Sequence, residues 1–200
     1  MSETVLKLDN VIKLFGKCRA VNGISFEVKE GEKLLIYGPL GGGKTTLFRL
    51  ICGLEQPDGG EISCGSMSMV AEEDGLIPEL TILENVALYL EMRGKKCRKE
   101  AKELLKRLGI EHIAGVKAAR VGRFERRLAA LAAAVMASPK LLILDEYTSG
   151  FSEREERLLL ERLHELTGDT TILMFSSKRY DEGFDRCLYM EHGEIKEEVR

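Results

Sequence analysis

Apolar positions along this chain follow two rhythms, and the change between them divides it. "VLKLDNVIKLF" (5–15) and "GISFEV" (23–28) alternate apolar with polar and predict half-buried strands. "KLLIY" (33–37), "LLIL" (141–144) and "TTILMF" (170–175) are short and continuously apolar, as strands buried on both faces are. Between them the period lengthens. Ile82, Leu83, Val86, Ala87 and Leu90 share one helical face, and Thr81 with Glu84 forms a capping-box pair at its start. Further helices are predicted over about 44–52, over 98–108 ending at Gly109, in "ERRLAALAAAVMAS" before Pro139, and from the Ser152–Glu155 capping pair to about Leu166. "GLEQPDGGEI" (53–62) is turn-rich and leads to short strands near 61–63 and 67–70. "CLYMEHGEIKEEV" (187–199) predicts a closing hairpin about His192–Gly193. Buried strands alternating with helices imply an α/β core with a mostly parallel sheet, antiparallel strands at the N-terminal end, and an inserted helical lobe.

At the end of "KLLIY" the pattern gives way to chemistry. Gly38-Pro39-Leu40-Gly41-Gly42-Gly43-Lys44-Thr45 matches GxxxxGK[ST] between a predicted strand and a predicted helix. Glycines let backbone N–H groups turn inward around a phosphate, and the helix start adds its positive dipole end. Lys44 is placed to reach the β- and γ-phosphates, and the Thr45 hydroxyl to ligate Mg²⁺. "LLILDE" sets Asp145 and Glu146 at the end of another buried strand, the end on which the crevice of such a sheet opens. Asp145 is the candidate Mg²⁺ holder, directly or through water, and Glu146 the candidate base for an attacking water. His112, His164 and His192 are isolated and read as surface residues.

Composition narrows this little further. The net charge of -3 points to neither nucleic acid nor a membrane surface, although "RGKKCRKEAKELLKR" (93–107) is locally basic, a pattern usual for a solvated face. The five cysteines are scattered, with no CxxC or Cys/His cluster, which argues against a disulfide framework or a zinc site and suits a reducing cytosol. "LAALAAAVMA" (128–137) has about half the length a membrane span needs, so the chain is not expected to cross a bilayer by itself.

With both motifs in place, nearly the whole chain resembles an ABC-type ATPase, the nucleotide-binding subunit of ATP-binding cassette transporters. The resemblance runs through "VIKLFGKCRAVNGISFEVKEGEKLLIYGPLGGGKTTLFRLICGLEQPDGGEI", "GLIPELTILENV" and "ASPKLLILDEYTSG". It implies one ABC domain, with a nucleotide-binding core at 1–70 and 139–200 and a helical subdomain at 71–138. It implies Mg-ATP on Gly38, Gly41, Gly42, Gly43, Lys44, Thr45 and Thr46, with Phe15 stacked on adenine; the alternative for Phe15 is a core position. It also implies a membrane-spanning permease as partner, a second ABC chain packed head to tail, no nucleic acid, and a place at the cytoplasmic face of the membrane.

The chain departs from the family pattern where a partner's nucleotide would be met. The signature position holds "VGRFE" (Val121 to Glu125) in place of LSGGQ. The glutamine-loop position holds Glu72, the switch-histidine position Ser177, and the loop after Asp145 and Glu146 carries Tyr147 and Ser152. Arg123 has the charge of an arginine finger, although an arginine at a helix start is usually solvated. Three readings stay open: an energising transporter ATPase, an ATP-gated binding module or degenerate half of a heterodimer, and a family member acting on a complex other than a transporter.

Overall fold

Buried apolar strands need neighbours on both edges, and the computed structural model, which describes residues 3–197, supplies them from distant parts of the chain. Strand β3 (Lys33–Tyr37) lies between β7 (Thr171–Ser176) and β8 (Arg186–Glu191), parallel to both. Beyond β7 lies β6 (Leu141–Asp145), also parallel, and β5 (Met67–Val70) forms that edge. At the other edge β9 (Glu194–Glu197) runs antiparallel to β8. Its turn is His192–Gly193, both at positive φ, as a two-residue hairpin requires. The remainder of the predicted hairpin, residues 198–199, lies outside the described residues. Leu34, Leu35 and Ile36 are fully buried, as are Leu141 to Leu144 and Ile172 to Phe175, in keeping with their continuous apolar runs.

The alternating N-terminal segments make a second, antiparallel sheet of three strands, ordered β2 (Cys18–Lys29), β1 (Thr4–Phe15), β4 (Gly59–Cys64). Helix α1 (Lys44–Ile51) follows β3 and packs against β2, β6 and β7. The fold is thus α/β, with a mixed, mostly parallel sheet and antiparallel N-terminal strands.

The chain divides into two compact units. The first, built from residues 1–69, 140–149 and 169–200, holds both sheets apart from Val70 at the end of β5. The second comprises 70–139 and 150–168, so it takes in α5 (Glu153–Thr167) together with α2 (Ile82–Glu91), α3 (Arg98–Arg107) and α4 (Arg123–Met136). The capping boxes form as the spacing predicts: Thr81 accepts from the Glu84 N–H and Ser152 from that of Glu155, and each glutamate bonds back. Two short 3₁₀ turns, Glu111–Ile113 and Ala118–Arg120, connect α3 to α4. Among the described residues no helix is long and apolar enough to cross a membrane.

Candidate functional site

The glycine-rich loop is shaped by what crowds it. A Cβ on Gly38 would collide with the Met190 carbonyl oxygen, and one on Gly43 with that of Ala20. At Gly42 a Cβ would come within 2.9 Å of the Met190 oxygen and 3.0 Å of that of Pro39. Gly41 has open space around it and is required instead by its backbone, at φ +79°. Gly38 N–H donates to the Ser176 carbonyl at 3.2 Å, and Gly42 N–H to that of Pro39 at 3.1 Å. The loop then enters α1 through Gly43, whose left-handed conformation makes it the N-cap.

Lys44 opens that helix with only 4% of its surface exposed. Its Nζ is folded back on the loop, donating to the carbonyls of Gly38 at 2.8 Å and Pro39 at 3.0 Å. It also lies 3.7 Å from Glu146 Oε1. Burial of an ammonium is costly unless it is paired, and three oxygens meet it here. Thr45 is exposed and Thr46 half-buried on the next positions.

Asp145 and Glu146 are 2% and 7% exposed at the end of β6. Glu146 has left-handed backbone at φ +46°, uncommon for a residue with a side chain. Its N–H donates to Phe175 O at 3.0 Å, so β7 holds the turn in place. Ser177, just beyond β7, donates its hydroxyl to Glu146 Oε2 at 3.1 Å. Lys44, Glu146 and Ser177 therefore form one cluster, although they come from separate parts of the sequence. Tyr147 is fully buried, and the Thr148 hydroxyl meets that of Tyr180 at 2.5 Å. Cys52, after α1, has its thiol pushed up to about 12, chiefly by burial and then by Cys64 and Asp145 nearby. Phe15 stands at the end of β1, 52% exposed and so outside the core.

Such a site has a glycine-rich loop, a helix start, one buried ammonium and two buried carboxylates. It suits a polyphosphate with a divalent cation, and Glu146 can orient or deprotonate a water. Among the described residues no group of three or more His, Cys, Asp and Glu side chains could hold a metal.

Of the positions where the sequence departs from the family pattern, Tyr147 and Ser177 lie in the first unit, and Glu72, Val121 to Glu125 and Ser152 in the second. Gly122 is the N-cap of α4 and provides no side-chain bond. Arg123 is turned onto its own unit: Nη1 donates to Gly150 O at 3.0 Å, and the guanidinium lies 4.6 Å from the Phe151 ring centroid. Phe124 meets the same ring edge to face at 6.2 Å. Glu72 is exposed, but its backbone is held, because the buried Arg127 donates to the carbonyls of Ala71 at 2.7 Å and Glu72 at 2.6 Å. Arg126 grips Asp74 with two bonds of 2.8 Å. Burial opposes ionisation of Asp74, but the Arg126 bond, the Leu76 N–H and both arginine charges outweigh it and hold the carboxyl below its ordinary value. Neither arginine stands out in the sequence as more than part of a basic run. The available signal was a charged pair inside an Ala-rich helix whose neighbours are buried.

A family model described as "ABC transporter" matches residues 21–149. The sulfate/thiosulfate import ATP-binding protein CysA 2 of Agrobacterium fabrum is 32% identical over 213 aligned positions, covering 95% of this chain and 62% of that protein. The Nod factor export ATP-binding protein I of Burkholderia orbicola is 32% identical over 212, covering 96% of this chain and 70% of its own length. The dimeric structure of MJ0796, a bacterial ABC transporter cassette, superposes with a TM-score of 0.84 at 26% identity, covering 96% of both chains. A post-hydrolysis state of MJ0796 bound to ADP and Pi gives 0.85 at 26%, covering 98% of each. The chain spans 62% of the length of the sulfate/thiosulfate import relative.

Proposed function

The chain belongs to the ABC transporter family, and from that premise we propose that it binds Mg-ATP and hydrolyses it as the nucleotide-binding subunit of a transporter. The observation that carries this reading is the cluster of buried Lys44 against Glu146 under a loop in which Gly38, Gly42 and Gly43 leave no room for a Cβ. Backbone N–H groups of Gly41 and of Gly43 to Thr46 hold the phosphates, with Lys44 exchanging its bonds to Gly38 and Pro39 for phosphate oxygens. Thr45 and Asp145 hold Mg²⁺, which when bound neutralises charge on the phosphates. Phe15 offers its exposed ring to the base. Glu146 accepts the proton of the attacking water, and Ser177 keeps that carboxylate in place. The partners are a membrane-spanning permease and a second ABC chain, with the protein at the cytoplasmic face of the membrane.

One observation favours a second reading, in which turnover is weak without a different ABC chain. The start of α4 is engaged by its own unit through Arg123, Phe124, Gly150 and Phe151, so it offers no small-residue surface to a partner. Steady-state ATP turnover of the purified chain, beside Glu146→Gln and Lys44→Ala, separates the two. Turnover abolished by both changes supports a self-sufficient ATPase. Absent turnover, with ATP binding that Lys44→Ala weakens by roughly a hundredfold, supports the partner-dependent reading. ATP binding indifferent to Lys44 would sink both.

A further inference from the structure

The end of β1 carries a lysine more elaborately held than a strand end requires. Lys13 is 8% exposed. Its Nζ donates to the Gln56 carbonyl at 2.7 Å and lies 2.9 Å from Glu55 Oε1 and 3.5 Å from Asp58 Oδ1. Each of its three donors therefore has an acceptor on the 55–58 turn. Asp58 also grips the strand directly: Oδ2 accepts from Leu14 N–H at 2.7 Å, and its own N–H donates to Ile12 O at 2.8 Å. The backbone on either side of Lys13 is thus bonded to the same turn. Two residues on lies Phe15, and the Lys13 ammonium is 5.5 Å from its ring centroid, within cation–π reach. Phe15 is exposed, and it is the ring through which the proposed function has the base bind.

We infer that Lys13 is a positioning residue for base recognition: through the 55–58 turn and the Phe15 ring it fixes the platform on which the purine of a nucleoside triphosphate stacks. This rests on the nucleotide-binding reading above. Glu55 is the group that most strongly raises the lysine's affinity for its proton, and Lys13 in turn holds the Glu55 carboxyl below its ordinary value, so both stay charged near neutrality. The platform is therefore set before ligand arrives, and its ordering is not charged against binding. Lys13 lies among none of the loop residues that hold phosphate, so its effect is confined to the base.

Calorimetric titration with Mg-ATP and with magnesium tripolyphosphate, which carries the anion without the base, tests this. Lys13→Met and Phe15→Ala are each expected to weaken ATP binding by about tenfold while leaving tripolyphosphate within about twofold. Lys13→Arg should recover ATP binding to within about threefold of wild type. Equal losses for both ligands, or no loss for ATP, overturn the inference and leave the phosphate-loop reading standing. A wild-type chain that binds neither ligand overturns that reading and the inference with it. Should Lys13→Met fail to fold, Glu55→Gln removes one acceptor only; an ATP-selective loss of about threefold is expected, and its absence overturns the inference.

Discussion

At position 43 the smallest side chain is already too large, whereas at position 41 space is ample and only the backbone objects. That contrast predicts two outcomes for one substitution. Gly43→Ala forces a methyl into the Ala20 carbonyl and to 2.8 Å from the Met190 methyl, at φ +102°. It should lower the free energy of unfolding by roughly 2 kcal/mol or more and abolish tripolyphosphate binding. Gly41→Ala, at φ +79° with no atom within 4 Å, should cost about 1 kcal/mol and keep the fold. Denaturant unfolding and calorimetry check both. Thiol chemistry gives a second residue-level outcome: Cys18 is exposed, whereas the Cys52 thiol is pushed up to about 12. In iodoacetamide at pH 8, intact-mass analysis should find Cys18 alkylated first and Cys52 among the last.

Elements in the second unit are held by contacts of two ranges, and each range predicts something different. The Thr81–Glu84 box is local, and Thr81→Ala should cost about 1 kcal/mol of stability in denaturant unfolding. The Asp74–Arg126 bond joins the 71–74 loop to α4 across 52 residues. Because the folded Asp74 carboxyl sits below its ordinary value, the unfolded chain takes up the proton first. Its stabilisation is full above about pH 4 and is lost as pH falls through the folded value. Asp74→Asn should remove that part of the acid dependence of the melting temperature while changing little of the rest.

The same split in range explains what could be read from the sequence. The phosphate loop, the capping boxes and the His192–Gly193 turn are contiguous in sequence, so spacing alone reveals them. The grip of Arg127 on the carbonyls of Ala71 and Glu72, and of Ser177 on Glu146, joins residues far apart, and nothing in a one-dimensional pattern pairs them. Sheet order is similarly hidden, since three apolar runs can be arranged in several ways. The engagement of Arg123 by Phe151 is the clearest case: "VGRFE" reads as a lost motif, and only the fold reveals what the replacement side chains touch.

At the scale of the molecule, the unit that carries the phosphate loop is assembled from three stretches of chain: 1–69, 140–149 and 169–200. Strand β3, which leads into the loop, has β7 on one edge and β8 on the other, and both come from the last of those stretches. Space thereby becomes time. On a ribosome the loop is made well before β7 and β8, and neither edge of the strand that supports it can be paired until residues 171–191 have emerged. A nascent chain ending at Gly168 should fail to retain ATP on an affinity resin and should collect chaperones at its unpaired β3, as exposed strand edges do. Emergence of residues 171–191 would then act as the step that switches nucleotide binding on.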